Sequence, residues 1–305
     1  MSAIRIGVVG MGKIAVDQHL PAIAANPDFE LVATVERSAP ASTINHTSHT
    51  AMLAAAERLD AVAITTPPGP RYAIARDCIA AGLHVLLEKP PTATLAEIDD
   101  LRDRAAERGV SLFTTWHAQH NPAVVEAADL LAGKRVAEMS IVWHEDVEKW
   151  HPGQRWIWEA GGFGVFDPGI NAFSIASRIF PGTLFVRSAA LHFPASSHTP
   201  IAAEIAFESA ASDGPLTCSL DWRRTAGEEW TIRIITEDGQ TIELLDGGAR
   251  LTVDGTARGE PDKDEYADIY RRFAELIAQG QSHVDTTPLR MVADCLLVGS
   301  RNLID

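Results

Sequence analysis

Over the first third of the chain, short runs of consecutive apolar residues alternate with longer amphipathic stretches. The apolar runs at 4–9, 30–35, 61–65, 84–88 and 111–116 have the length of strands. The stretches 13–25, 50–58, 71–81 and 94–108 between them carry helical periodicity. Strands that are apolar on both faces and alternate with helices predict a parallel sheet covered on both sides. After residue 122 the texture changes. A helix is predicted over 122–132, followed by strand-like stretches at 137–143, 184–193, 203–208, 216–222, 230–236 and 241–245. Asp213-Gly214, Glu237-Asp238-Gly239, Asp246-Gly247-Gly248 and Asp254-Gly255 punctuate them as turns, the pattern of antiparallel meanders. Helical patterns over 264–279 and 288–303 close the chain. The expected organisation is a first domain over 1–120 and a second over 121–305, with the 288–303 helix a candidate to pack back on the first domain.

Where the first apolar run ends, Gly10-Met11-Gly12-Lys13-Ile14-Ala15 matches G-x-G-x-x-G/A at the start of a helix. The first glycine permits the tight turn, the second lets backbone approach a pyrophosphate, and the small sixth residue lets helix and strand pack closely. Gly10, Gly12, Lys13 and Ile14 are therefore candidate cofactor contacts. The fold class this predicts is an α/β Rossmann-type parallel sheet domain followed by an α+β domain with a mostly antiparallel open sheet. At the end of the second strand, Glu36 would bond the adenine-ribose hydroxyls and favour NAD, while the adjacent Arg37 would attract a 2′-phosphate and keeps NADP open. Thr65, Thr66 and Pro67 end the third strand, where ligands of such sheets bind, and are candidates to line the nicotinamide ribose.

Glu88-Lys89-Pro90-Pro91 ends the fourth strand in the same position. A lysine there can hydrogen-bond ribose and substrate hydroxyls, or exchange a proton with the hydroxyl being oxidised. The second use needs burial or a nearby positive charge to lower a pKa that is ordinarily ~10.4. Glu88 and Lys89 are both counted as candidate cofactor contacts.

Composition narrows the partners. The 305 residues include 41 acidic and 26 basic side chains, a formal net charge of −15. An excess of that size repels nucleic acid and anionic membrane surfaces, so neither is expected as a partner. It leaves an anionic cofactor open, because backbone N–H groups at a helix end can hold a phosphate. Cys78, Cys218 and Cys295 are few and scattered, which suits a reducing cytoplasmic setting and offers neither a disulfide framework nor metal-ligand spacing. No apolar run approaches a membrane span, and the N-terminal one is too short for a signal peptide. No cluster has zinc spacing, so hydride chemistry without a metal is expected.

With these motifs in place, the chain resembles the Gfo/Idh/MocA oxidoreductase family. The likeness rests on the glycine loop, on Glu88-Lys89-Pro90, and on the two-domain order. Asp17-Gln18-His19-Leu20-Pro21-Ala22-Ile23, Trp116-His117, Glu145-Asp146-Val147, Trp150-His151-Pro152-Gly153-Gln154 and Gly164-Val165-Phe166-Asp167-Pro168-Gly169-Ile170-Asn171 extend it to the family's aldose 1-dehydrogenase branch. The resemblance implies NAD(P)-dependent oxidation of the anomeric carbon of an aldose, such as D-galactose or L-arabinose, to the lactone. Glu36 departs from the branch's NADP-using members, which often carry a small residue before the arginine.

The second half of the chain bears on this independently. Asp167 and Asn171 are four residues apart in a helical pattern and share a face. The carboxylate is placed to accept the proton of an anomeric hydroxyl and the amide to hold its oxygen. Asp167 before Pro168 is equally a good helix N-cap. Lys89, Asp167 and Asn171 are the catalytic candidates, with the choice of Lys89 or Asp167 as the primary base left open. Glu145, Trp150, His151, Trp230 and His117 join Asp167 and Asn171 as substrate-binding candidates, because sugars are held by aromatic faces and planar polar groups. Trp143, Trp156 and Trp158 are expected in the core. Two other functions compete with this one: a dehydrogenase of another polyol such as an inositol, and a non-catalytic sugar- or NAD-binding regulator. An open antiparallel sheet is also a candidate surface for homo-oligomer formation.

Overall fold

The computed structural model describes residues 2–38, 44–55, 58–259 and 264–304. The first stretch contains β1 (Ile4–Val9), a π-helical turn at Ala15–His19 running into α1 (Leu20–Ala25), β2 (Phe29–Val35), β3 (Asn45–His46) and α2 (His49–Ala54). There follow β4 (Ala61–Ile64), α3 (Pro68–Ala80), β5 (His84–Leu87), α4 (Leu95–Arg108) and β6 (Leu112–Thr114). Next come α5 (Pro122–Leu131), β7 (Val136–His144), the single turn α6 (Val147–Trp150), α7 (Phe166–Ile179), β8 (Phe185–Pro194), β9 (Ala202–Ser209) and β10 (Ser212–Asp221). The chain then forms β11 (Glu229–Thr236), β12 (Thr241–Leu245), β13 (Arg250–Val253), β14 (Thr256–Arg258), α8 (Glu265–Gln279), α9 (Thr287–Val298) and β15 (Ser300–Ile304). Residues 56–57 of the helix predicted over 50–58 lie outside the described residues.

The chain divides into two compact units. One comprises Met1–His117 with Asp264–Thr286, the other Ala118–Lys263 with Thr287–Asp305. The first break falls at 117/118, three residues before the expected 120/121, and a later segment crosses back. The helix over 264–279, expected in the second domain, belongs to the first unit. Its apolar face, Tyr266, Ile269, Tyr270, Phe273 and Leu276, packs with Ile6, Val8, Phe29, Ala61, Ala63 and Phe113 of the parallel sheet. Periodicity identifies an amphipathic helix but not the sheet it covers, so the return crossing is invisible in the pattern.

In the first unit the strand order is β3-β2-β1-β4-β5-β6, parallel throughout, and the direction of winding reverses between β1 and β4. Ligands of such sheets bind beyond the strand C-termini at that reversal. Local chemistry sets the helix ends. Thr94 and Glu97 form a capping box at the start of α4, and Gly109 ends it at φ +69°. Prolines 68 and 70 occupy the first turn of α3, where their missing N–H groups have no intrahelical partner to lose.

The second unit is built on a sheet ordered β14-β13-β12-β11-β7-β10-β9-β8-β15. It is mostly antiparallel, with β7–β10 and β8–β15 parallel. α5, α7 and α9 pack as one layer, with α9 against α7 and β8. The last helix thus packs within the second unit. It also ends earlier than the pattern predicts. Gly299 lies so close to Leu191 and the Cys295 carbonyl that an added Cβ would clash, and residues 300–304 extend as β15 beside β8.

Candidate active site

In the first unit the glycine loop stands where β1 meets the helical segment 13–25. Gly10 has φ +102°, and a Cβ there would lie 2.9 Å from both the backbone N and the Cγ2 of Thr66. Its N–H donates to the Val35 carbonyl at 3.1 Å, tying the ends of β1 and β2 together. Gly12 is the converse case: a Cβ built on it meets nothing within 4 Å. Ala15 is fully buried, as close packing of helix on strand requires. The Lys13 ammonium pairs with Asp17 on an exposed face, and Ile14 is 37% exposed. Thr65 donates its hydroxyl to the carbonyls of Val9 and Gly10, which braces the loop from β4. The Thr66 Oγ1 is buried without a hydrogen-bond partner among the described residues. Open space at Gly12, a polar atom lacking a partner at Thr66 and an adjacent helix start together fit a dinucleotide pyrophosphate and ribose. At the end of β2, Ser38 donates to Glu36 Oε1 at 3.0 Å, and Arg37 is exposed.

Lys89 follows β5, half-buried, with a cis peptide bond to Pro90. Glu88, expected as a cofactor contact, has a buried carboxylate committed to protein groups. Its Oε2 accepts the Lys89 backbone N–H at 2.8 Å, while Oε1 accepts the Tyr266 hydroxyl at 2.7 Å and lies 3.1 Å from His19 Nε2. Its side chain therefore ties the end of β5 to two helices of the unit. Burial pushes this carboxyl upward, but the His19 hydrogen bond and charge, with His117 and the Tyr266 hydroxyl, outweigh it and hold the pKa at about 2. The buried Arg71 guanidinium bonds the carbonyls of Thr66, Glu88 and Pro90, joining the ends of β4 and β5. His117 lies 2.6 Å from Glu265 through Nδ1 and stacks on Tyr266. Burial works against its charged form, but Glu265 and Glu88 outweigh it and raise the pKa above the ordinary 6.5 despite Lys89 nearby.

In the second unit, Trp143 and Glu145 are buried on one side of their strand and His144 is not, as alternation predicts. Glu145, a substrate-binding candidate, accepts two indole N–H groups. Trp222 donates to Oε1 and Trp230 to Oε2, each at 2.9 Å. The carboxylate thereby orients two rings. Trp222 lies 5.1 Å from His151 and 5.4 Å, edge-on, from Trp158, and Trp230 lies 5.6 Å from Trp150. Trp150 is 41% exposed and donates to Glu228. His151 Nε2 stands 3.5 Å from Asp167 Oδ2. Asp167 is buried within the first turn of α7, and the residue preceding that helix is Val165. The helix-cap interpretation of Asp167 therefore fails; its carboxylate sits at the positive end of the helix with an imidazole beside it. Asn171 lies one turn further on, half-buried. Trp143 is buried as expected, whereas Trp156 and Trp158 are half-buried.

A galactose 1-dehydrogenase from Pseudomonas fluorescens is 43% identical to this chain over 99% of it and 97% of its own length. A family model described as "Oxidoreductase family, NAD-binding Rossmann fold" matches residues 4–115. The chain belongs to the Gfo/Idh/MocA family. It is an oxidoreductase, and the first unit is a member's NAD-binding Rossmann domain. The crystal structure of a D-galactose-1-dehydrogenase from Rhizobium etli superposes with a TM-score of 0.93 at 46% identity, covering 100% of this chain and 97% of that one. A 3-ketoreductase from Actinomadura kijaniata, solved with NADP and TDP-benzene, shares the fold at 18% identity, TM-score 0.82, over 99% of this chain and 100% of its own.

Several residues of these clusters were not singled out from sequence. Trp222 had a usable signal, since alternation through Leu216, Cys218 and Leu220 places it on the buried face of its strand. His19 had one too: it falls on the apolar face of its helix with Ala15 and Ile23, where a polar side chain needs a buried partner. Arg71, Tyr266 and Tyr270 had none, because their partners are set by the return of α8 and by backbone carbonyls.

Proposed function

We propose that this oxidoreductase removes a hydride from the anomeric carbon of an aldose, D-galactose or the stereochemically matching L-arabinose, to give the lactone. The observation that carries the proposal is the Asp167–His151 pair set among tryptophan faces in the second unit. Its strongest support outside the site is the near-full-length likeness to galactose 1-dehydrogenases. Indole faces suit the C–H surface of a pyranose, and Asp167 and Asn171 suit its hydroxyls.

In the first unit, Gly10, Gly12, Lys13 and Ile14 are assigned to the pyrophosphate, Glu36 and Arg37 to the adenine ribose, and Thr65, Thr66 and Pro67 to the nicotinamide side. When bound, the oxidised nicotinamide supplies the hydride acceptor. Lys89 and Asp167 are assigned removal of the C1 hydroxyl proton, and Asn171 orientation of that oxygen. His151 shares the Asp167 carboxylate and orients it, and Trp150 and Trp230 are assigned to the sugar's apolar face. Positioned proton transfer of this kind contributes on the order of 10²–10⁴-fold in rate. Glu36, braced by Ser38, favours NAD, because a carboxylate at the ribose hydroxyls repels a 2′-phosphate.

A panel of aldoses and inositols with NAD+ and NADP+, followed by absorbance of the reduced nicotinamide, tests the proposal. D-galactose or L-arabinose is expected to lead with NAD+. Reduction with an inositol alone, or with no polyol at all, would overturn it. Lys89→Met is expected to lose nearly all turnover while still binding NAD+; near-normal turnover would remove Lys89 from the mechanism.

A further inference from the structure

Lys89 is held from both sides along its backbone. Its own N–H donates to Glu88 Oε2 at 2.8 Å, and Arg71 grips the carbonyls of Glu88 and Pro90. A carboxylate anchored by one oxygen alone turns easily, because the terminal torsion of Glu is broad. Here the other oxygen is anchored twice, by the Tyr266 hydroxyl at 2.7 Å and by His19 Nε2 at 3.1 Å, from two separate helices.

Those anchors are themselves immobilised. The Tyr266 ring is stacked on His117 (6.0 Å, 18°) and met edge-on by His19 (5.0 Å, 67°). His19 Nδ1 lies 2.8 Å from the Tyr270 hydroxyl. Since the Glu88 carboxylate only accepts, His19 Nε2 carries a proton toward it, and in the neutral imidazole Tyr270 donates to Nδ1. Every group in this chain of contacts is buried or half-buried, and none of Tyr266, Tyr270 and His19 has a part in the proposed chemistry.

We propose that Tyr266 and His19 are positioning residues that aim Lys89 by fixing the plane of the Glu88 carboxylate. The proposal rests on the role assigned to Lys89 above. A tether that only docks α8 onto the sheet would be felt in stability. A positioning device is felt in turnover, and only while Lys89 is present.

The test is a double-mutant cycle of Tyr266→Phe and Lys89→Ala, reading kcat, KM for galactose, the NAD+ dissociation constant and Tm. Tyr266→Phe removes one hydroxyl and keeps the ring in both of its aromatic contacts. It is expected to lower kcat about 10-fold while the NAD+ dissociation constant stays within about twofold, since displacing a reacting group by an ångström costs up to ~100-fold. In the Lys89→Ala background, followed at high enzyme concentration, the same substitution should change the residual turnover less than about twofold. His19→Gln, which keeps a donor toward Glu88, should retain more turnover than His19→Ala, and this comparison holds even if Tyr266→Phe is poorly folded. Normal kcat in Tyr266→Phe, or the same fold-loss in both backgrounds, would overturn the positioning role while leaving Lys89 catalytic. Full turnover in Lys89→Ala alone would instead overturn the Lys89 assignment, and the positioning role with it.

Discussion

Gly10 and Gly12 are both glycines of one loop, yet the structure requires them for different reasons, and substitution by alanine separates the two. At Gly10 a methyl group meets Thr66 backbone at 2.9 Å, and φ of +102° is a conformation that L side chains rarely adopt. Strain of that type costs ~1–3 kcal/mol, and the clash adds to it, so Gly10→Ala is expected to destabilise the ligand-free protein by about 2–4 kcal/mol. At roughly 2–4 °C per kcal/mol for a chain of this size, Tm should fall by about 5–15 °C. At Gly12 nothing lies within 4 Å of the added methyl. The gain of ~0.4–1 kcal/mol from a stiffer unfolded chain roughly offsets the poorer helix start, leaving Tm within about 3 °C of wild type. The same methyl fills the space assigned to the pyrophosphate, so NAD+ affinity is expected to drop at least ~30-fold, about 2 kcal/mol. Thermal denaturation without cofactor and titration of NAD+ against tryptophan fluorescence measure the two quantities. A Gly12→Ala protein that binds NAD+ normally would refute the assignment of this loop. One that melts as early as Gly10→Ala would refute the geometric argument itself.

Acid unfolding should report Glu88. Its carboxyl is held at about 2 against an ordinary 4.5, so its stabilisation is present above pH 4.5 and lost as pH falls toward 2. Urea unfolding between those limits should show an acid arm of up to ~3 kcal/mol that flattens in Glu88→Gln; an unchanged slope would contradict it. His117 has the opposite sign: its raised pKa gives stability present below 6.5 and lost as pH rises through the folded value, and His117→Asn should remove that alkaline loss in the same assay. In Glu145→Gln one indole N–H faces an amide NH2. A loss of ~1–3 kcal/mol is expected, with a higher KM for sugar and an unchanged NAD+ dissociation constant; an unaltered KM would free Trp222 and Trp230 from the substrate site. Glu36→Ala should move the NADP+ to NAD+ ratio of kcat/KM upward by at least about tenfold, or 1.4 kcal/mol, and no movement would mean that the carboxylate does not select the cofactor.

Much of the first unit was legible because its signals are local. The G-x-G-x-x-A spacing of Gly10, Gly12 and Ala15 is contained in six consecutive residues, and strand–helix alternation depends only on neighbouring side chains. Asp167 and Asn171 were legible for the same reason, since i and i+4 on one helix share a face in any tertiary setting. Chemistry at a site depends on what faces each group, and here the chain order hides it. The motif marks Glu88 as a cofactor contact but does not show that Tyr266, 178 residues later, donates to it. The pattern marks Glu145 as a sugar ligand but does not show that Trp222 and Trp230, 77 and 85 residues away, donate to its two oxygens. Periodicity, glycine spacing and family motifs thus determined which elements form, where a nucleotide fits and which family the chain resembles. Only the folded chain decided that α8 returns to the parallel sheet, because burial of its apolar face is satisfied equally well, as far as sequence goes, by either sheet.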